Sequence, residues 1–171
     1  MHIAEETKER HTLAVIVDNE PGILARIAGL FTARGYNIES LTVTDISEDD
    51  AISRITIVTS ASARVMEQII AQLDRLVPVH KVSDLTALGP HVERELALVK
   101  VAGIGDHRIE AMRLAEVYRA SVVDATIGSF VFEVTGGTDK IDTFVALMRE
   151  VGLVEVARTG IVAISRGKEA A

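Results

Sequence analysis

One order of elements, read twice along the chain on either side of a Gly-Pro break, constrains this sequence more than any other feature. Leu13 to Val17 is an unbroken aliphatic run, as expected of a strand covered on both faces or buried at an interface. Ile23, Leu24, Ile27, Leu30 and Phe31 fall on one helical stripe. From Ile38 to Asp45 apolar and hydroxyl residues mix, with Leu41 and Val43 facing opposite to Ser40, Thr42 and Thr44. Glu48-Asp49-Asp50 is an acidic turn, and Ile52 to Thr59 returns as a strand. Val65, Met66, Ile69, Ile70 and Leu73 make a second helical stripe, and Pro78 to Leu85 closes the unit as a strand. That is βαββαβ, the ferredoxin-like arrangement: two helices on one face of a four-stranded antiparallel sheet. The other face, with Ser40, Thr42, Thr44 and Thr56, is expected to be free for solvent or a partner.

Thr86 to Pro90 breaks the pattern at Gly89-Pro90 and reads as a linker. The order then starts again. Glu95 to Ala102 is a strand, and a helix runs from about Asp106 to Arg119. Ser121 to Thr126 and Ser129 to Thr135 form a hairpin turning at Ile127-Gly128. Ile141, Phe144, Val145, Met148 and Val151 mark a helix, and Val154 to Ser165 reads as one long strand. The fold class expected is therefore α+β, two related ferredoxin-like domains. The boundaries expected are a flexible tail over residues 1–11, a first domain over 12–86, a linker over 87–93, a second domain over 94–166, and a tail over 167–171.

Composition narrows the chemistry. Only 4% of residues are aromatic and there is no Trp, so the cores must be aliphatic. A formal net charge of −7 argues against nucleic acid, whose phosphates need a basic face. The absence of Cys excludes disulfides and thiolate chemistry, and it fits a reducing cytoplasm, the location expected. No apolar stretch has the length of a membrane span, and the charged first residues lack a signal-peptide pattern. None of the five His sits at zinc-site spacing. Gly103-x-Gly105 lacks the rest of a dinucleotide fingerprint and reads as a turn with Asp106 as N-cap. No phosphate-loop or nucleophile-elbow motif occurs. Arg113 reads as a snorkelling side chain rather than a buried catalytic cation. The chain is expected to do no chemistry alone.

The most specific run is DNEPGILARIAGLFTARGYNIESLTV, Asp18 to Val43. Pro21 sits where a helix begins, a place that tolerates its missing N–H. Gly22 leaves the first-turn N–H groups uncovered, so they and the helix dipole form a small anion site suited to a carboxylate. Gly35-Tyr36-Asn37 closes the helix and places an amide on the returning chain. An ordinary reading stands beside this one: Asn19 caps a helix and Gly35 ends it.

That run resembles the start of an ACT domain, the amino-acid-sensing module of metabolic regulation. With SRITIV, HVERELALVKV and VEVARTGIVAISRG, the chain from Thr12 to Gly167 resembles the small, regulatory subunits of acetolactate synthase (acetohydroxyacid synthase). The resemblance implies a homodimer through paired ACT domains, with valine or another branched-chain amino acid bound at the shared seam. It implies that Gly22, Ile23 and Leu24 hold the α-carboxylate through backbone N–H groups, with Pro21 stiffening the turn and Asn19 lining it. Asn37 of the neighbouring copy would meet the ligand's polar end, and Ile23, Leu24 and Ile38 would enclose its side chain. It implies no cofactor on this chain. The partner would be a large catalytic subunit carrying thiamine diphosphate, Mg²⁺ and FAD, which condenses two pyruvates, or pyruvate with 2-oxobutyrate. The face bearing Ser40, Thr42 and Thr44 is a candidate docking or dimer surface. Two alternatives stay open: a free-standing tandem ACT-like sensor acting on gene regulation, and a small ferredoxin-like phosphatase. The phosphatase would need an Arg–Asn constellation in one loop, and the sequence has none.

Overall fold

The computed structural model describes residues 7–168 and 170 and divides into two units, residues 1–92 with 161–171, and residues 93–160. In the first unit β1 (Glu9–Asp18) leads to α1 (Ile23–Ala33), β2 (Ser40–Asp45), β3 (Ile52–Ala61), α2 (Ala63–Asp74) and β4 (Val79–Asp84). The sheet order is β2-β3-β1-β4, and each neighbouring pair runs antiparallel. Alternation along the strands builds the core. Leu13, Val15 and Val17 of β1 and Ile55 and Ile57 of β3 meet Ile23, Ile27 and Phe31 of α1 and Met66, Ile69 and Leu73 of α2. Leu13 pairs with Ile57 and Val15 with Ile55, so the central strands present one continuous apolar face to both helices.

Three expectations about this unit change. β1 begins at Glu9, so the end of the expected tail is strand; residues 1–6 lie outside the described part. His11 is buried, and its Nδ1 lies 2.7 Å from Asp84 Oδ2. Asp84 also caps a short helix, α3 (Leu85–Leu88), accepting from the N–H groups of Thr86 and Ala87 at 3.0 and 3.2 Å. The expected linker therefore contains the end of a capped turn and the first residues of β5 (His91–Ala102).

The third change concerns the sheet face expected to be free. The strand expected over 154–165 is two strands, β8 (Leu153–Arg158) and β9 (Val162–Ser165), separated where Gly160 takes a φ of +86°. The chain after Gly160 belongs to the first unit, not the second. Ser40 Oγ accepts from Ile161 N–H at 2.8 Å, and Thr42 Oγ1 donates to the Ile161 carbonyl at 3.0 Å. Arg54 Nη2 donates to the Ala163 carbonyl at 2.9 Å. Ala163 packs with Ala14 and Leu85, all buried. The hydroxyls of Ser40 and Thr42 thus hold the protein's own C-terminal segment, and only Thr44 of that trio is exposed. Residues 169 and 171 of the expected C-terminal tail lie outside the described part.

The second unit runs β5, α4 (Asp106–Val117), β6 (Ser121–Ala125), β7 (Ser129–Gly136), α5 (Thr138–Glu150) and β8, with order β6-β7-β5-β8. It is again βαββαβ. Ala97, Val99 and Val101 meet Phe130, Phe132 and Val134 under Ala111, Ala115, Ile141, Phe144 and Met148. Phe132 and Phe144 meet edge to face at 6.4 Å between centroids, so this core is partly aromatic rather than wholly aliphatic as expected: the few aromatic residues are concentrated in it. The hairpin turns where expected, with Thr126 N–H donating to the Ser129 carbonyl at 2.8 Å. The N-cap of α4 is Gly105, not Asp106, which sits inside the first turn. Arg113 is exposed and pairs with Glu110 at 3.2 Å.

Candidate functional site

Asp18 ends β1 by donating its N–H to the Pro78 carbonyl at 2.8 Å. Asn19 then ties the turn to the β2–β3 connection twice: its N–H reaches the Ala51 carbonyl, and its Nδ2 reaches the Asp50 carbonyl, each at 2.8 Å. Asn19 is therefore not a helix cap. Its amide protons support the turn from outside. Pro21 is also not the first helical residue; it and Gly22 form the turn, and α1 starts at Ile23.

Gly22 is the N-cap, at φ +88° and ψ −3°, with no side-chain cap. A Cβ there would meet nothing within 4 Å, so the glycine is required by backbone conformation and leaves open space beside the helix start. Of the three expected donors, the Ile23 N–H is engaged, donating to the Glu20 carbonyl at 3.3 Å. The N–H groups of Gly22 and Leu24 have no acceptor among the described residues. Ile23 is buried in the core, and Leu24 is 42% exposed beside the turn. Two free N–H groups at a helix start suit a carboxylate.

Carboxylates surround this turn. Asp18 pairs with His80 at 2.6 Å and Glu20 with Arg26 at 2.9 Å. In the facing turn the Ser47 hydroxyl, and then the Ala51 N–H, hold the Asp49 carboxyl below its ordinary range. The open turn is thus bordered by carboxylates, of which Asp18 and Glu20 already have basic partners.

Asn37 and Ile38 lie elsewhere. The 11 residues of α1, at about 1.5 Å each, separate them from Gly22 by about 16 Å. Asn37 sits at the far end of the sheet, where its carbonyl accepts from Thr59 Oγ1 at 2.6 Å. Its side chain is exposed, while Ile38 is half-buried against the core. One chain therefore does not assemble the whole expected set. Asn37 instead lines a cavity of about 910 Å³ with Arg34, Gly35, Tyr36 and Ser62. Sequence reasoning missed the support from the Asp50 and Ala51 carbonyls, because nothing local marks a carbonyl as the partner of an amide 31 residues away.

No group of metal-ligating side chains occurs among the described residues, and no helix among them is long and apolar enough to cross a membrane. In the second unit Arg158 holds the buried Glu95 through two hydrogen bonds and Asp142 through a third at 2.6 Å. These bonds, led by that to Glu95, raise the guanidinium's already high pKa. With every carboxylate and guanidinium partnered, the cluster is structural.

Comparison with known proteins places these features in one family. Residues 13–81 match the model for the AHAS small subunit-like ACT domain, and residues 94–167 match that for the small subunit of acetolactate synthase. A probable acetolactate synthase small subunit from Archaeoglobus fulgidus is 49% identical, over 94% of this chain and 99% of that one. The acetolactate synthase isozyme 3 small subunit of Salmonella typhimurium is 46% identical, over 92% of this chain and 96% of that one. The crystal structure of the acetolactate synthase small subunit from Thermotoga maritima superposes with a TM-score of 0.85 at 36% identity, covering 94% of this chain and 99% of that one. Two ferredoxin-like units, an open glycine-capped turn in the first and matches of this extent make one conclusion: the chain belongs to the family of acetolactate synthase small subunits.

Proposed function

We propose that this chain regulates a separate, thiamine diphosphate-dependent acetolactate synthase subunit, activating it and conferring feedback inhibition by valine. One observation carries the reading. The open Gly22 turn and the Asn37 amide lie at opposite ends of α1, so two antiparallel copies side by side bring each turn to the other's amide. The site is thus completed only in a homodimer, and two equivalent sites form on the seam. Leu24 and Ile38 flank these groups and would enclose an aliphatic side chain.

The helix-terminus contribution to carboxylate binding is about 0.3–1 kcal/mol, rising to about 2 kcal/mol when partly buried. Useful affinity therefore needs the water-excluding seam. A ligand that favours one quaternary arrangement shifts the population toward it, and a coupling of about 1–3 kcal/mol suffices for feedback. The cofactors thiamine diphosphate, Mg²⁺ and FAD belong to the catalytic partner, and this chain supplies binding and coupling.

Gly22→Asp tests the site. The added carboxylate occupies the anion position, so the variant should still activate the catalytic subunit while losing valine sensitivity. The measurement is acetolactate formation by reconstituted enzyme with and without valine; normal inhibition of the variant refutes the site.

A further inference from the structure

The cavity beside Asn37 has a chemistry of its own. It opens at the N-terminus of α2, and its lining includes Lys8, Arg34 and Ser62. Ser62 is the N-cap of α2 in extended backbone, yet its side chain caps nothing. The residue is 7% exposed, and its Oγ has no hydrogen-bond partner. A buried hydroxyl without a partner is costly, and at an N-cap the ordinary remedy is a bond to the helix's own N–H groups. Here the hydroxyl and the first-turn donors are both left over.

The charges around it are equally unbalanced. Neither the Lys8 ammonium nor the Arg34 guanidinium has an ion-pair partner among the described residues, although the chain carries a net charge of −7. No carboxylate lines the cavity among those residues. The nearby Glu39 is occupied by Ser60 Oγ at 2.5 Å and by Arg10 at 3.9 Å. Two residues whose cations have no ion-pair partner among the described residues, and the residue of the unpartnered hydroxyl at the start of an uncapped 12-residue helix, line one cavity of about 910 Å³.

We propose that this cavity is a second ligand site, for a phosphate group. Arg34 and Lys8 neutralise the dianion, and Ser62 Oγ with the first N–H groups of α2 completes the donor set. It adjoins the proposed amino-acid site, and Asn37 belongs to both. A free phosphate ion and the phosphate group of a larger metabolite present the same chemistry, and the cavity volume exceeds that of the bare ion.

The test is a titration of the ¹⁵N-labelled full chain with inorganic phosphate and, separately, phenyl phosphate, at constant ionic strength, with acetate as control. Saturable shifts of the Ser62, Ala63 and Arg64 amides are expected with one or both phosphates and not with acetate. Tighter binding of phenyl phosphate identifies an ester as the ligand class, and tighter binding of inorganic phosphate identifies the free ion. Arg34→Met and Lys8→Met should each weaken binding by roughly tenfold or more. Ser62→Ala should weaken it without unfolding α2, because that hydroxyl caps nothing. Shifts that do not saturate, that acetate reproduces, or that survive all three substitutions overturn the proposal. Valine titration of the same variants separates the two sites. Retained valine binding with lost phosphate binding supports two sites, and joint loss shows that the cavity is only part of the amino-acid site.

Discussion

The left-handed backbone at Gly22 separates two effects of substitution there. Any side chain at φ +88° is strained, by about 1–2 kcal/mol for most residues and less for Asn or Asp. Gly22→Asn therefore controls for Gly22→Asp: it accepts the same backbone and adds no charge. The asparagine variant should keep partial valine sensitivity in the reconstituted assay while the aspartate variant keeps none; equal loss would make the defect steric. Arg158 poses a different problem. Arg158→Met leaves Glu95, 4% exposed, without its partner. The expected loss is about 3 kcal/mol, the low end for broken buried pairs, because the guanidinium side is partly solvated. Urea unfolding measures it, and Glu95→Leu in the same chain should restore most of the stability.

Turns coupled across the sheet govern the behaviour of whole elements. Asn19→Ala releases the β1–α1 turn from the β2–β3 turn by removing the bond to Asp50. The stability loss should be about 1 kcal/mol, while valine affinity measured by calorimetry should fall more than that. Unchanged affinity would show that the turn is held without Asn19. At the other end of β4, Asp84 joins His11 to the start of α3. Asp84→Ala should cost about 2 kcal/mol, through the lost cap and the unpaired histidine. Amide exchange at Thr86 and Ala87 should speed up; if it does not, the cap is not holding the turn.

For the whole molecule, the return of the chain after Gly160 is the consequential feature. Ala163 is 7% exposed against Ala14 and Leu85, so a charge there is buried without a partner. Ala163→Asp should lower the thermal midpoint of the first unit by several degrees, about 2–4 °C per kcal/mol for a protein of this size. An unchanged midpoint would mean that β9 is not docked on that unit. The proposed dimer is tested at the same scale. The proposed valine site needs two copies, and on that proposal apparent valine affinity should fall on dilution below the dimer dissociation constant, and valine should in turn strengthen the dimer. Sedimentation with and without valine checks both statements.

The sequence by itself determined the two βαββαβ units, since aliphatic runs such as Leu13 to Val17 and stripes such as Ile141, Phe144, Val145 and Met148 follow periods that belong to strands and helices. It also determined the Gly22 turn, because a glycine between Pro21 and Ile23 is a local signal. Tertiary structure alone decided what each sheet face meets. Ser40 and Thr42 read as a free polar face, yet they hold Ile161, more than a hundred residues away in the chain. It alone decided that Asn19 braces the turn rather than capping the helix, and that Ser62 and Arg34 share a cavity. A hydrogen bond's partner is set by where backbone carbonyls come to rest, and periodicity reports which way a side chain points but not what arrives there.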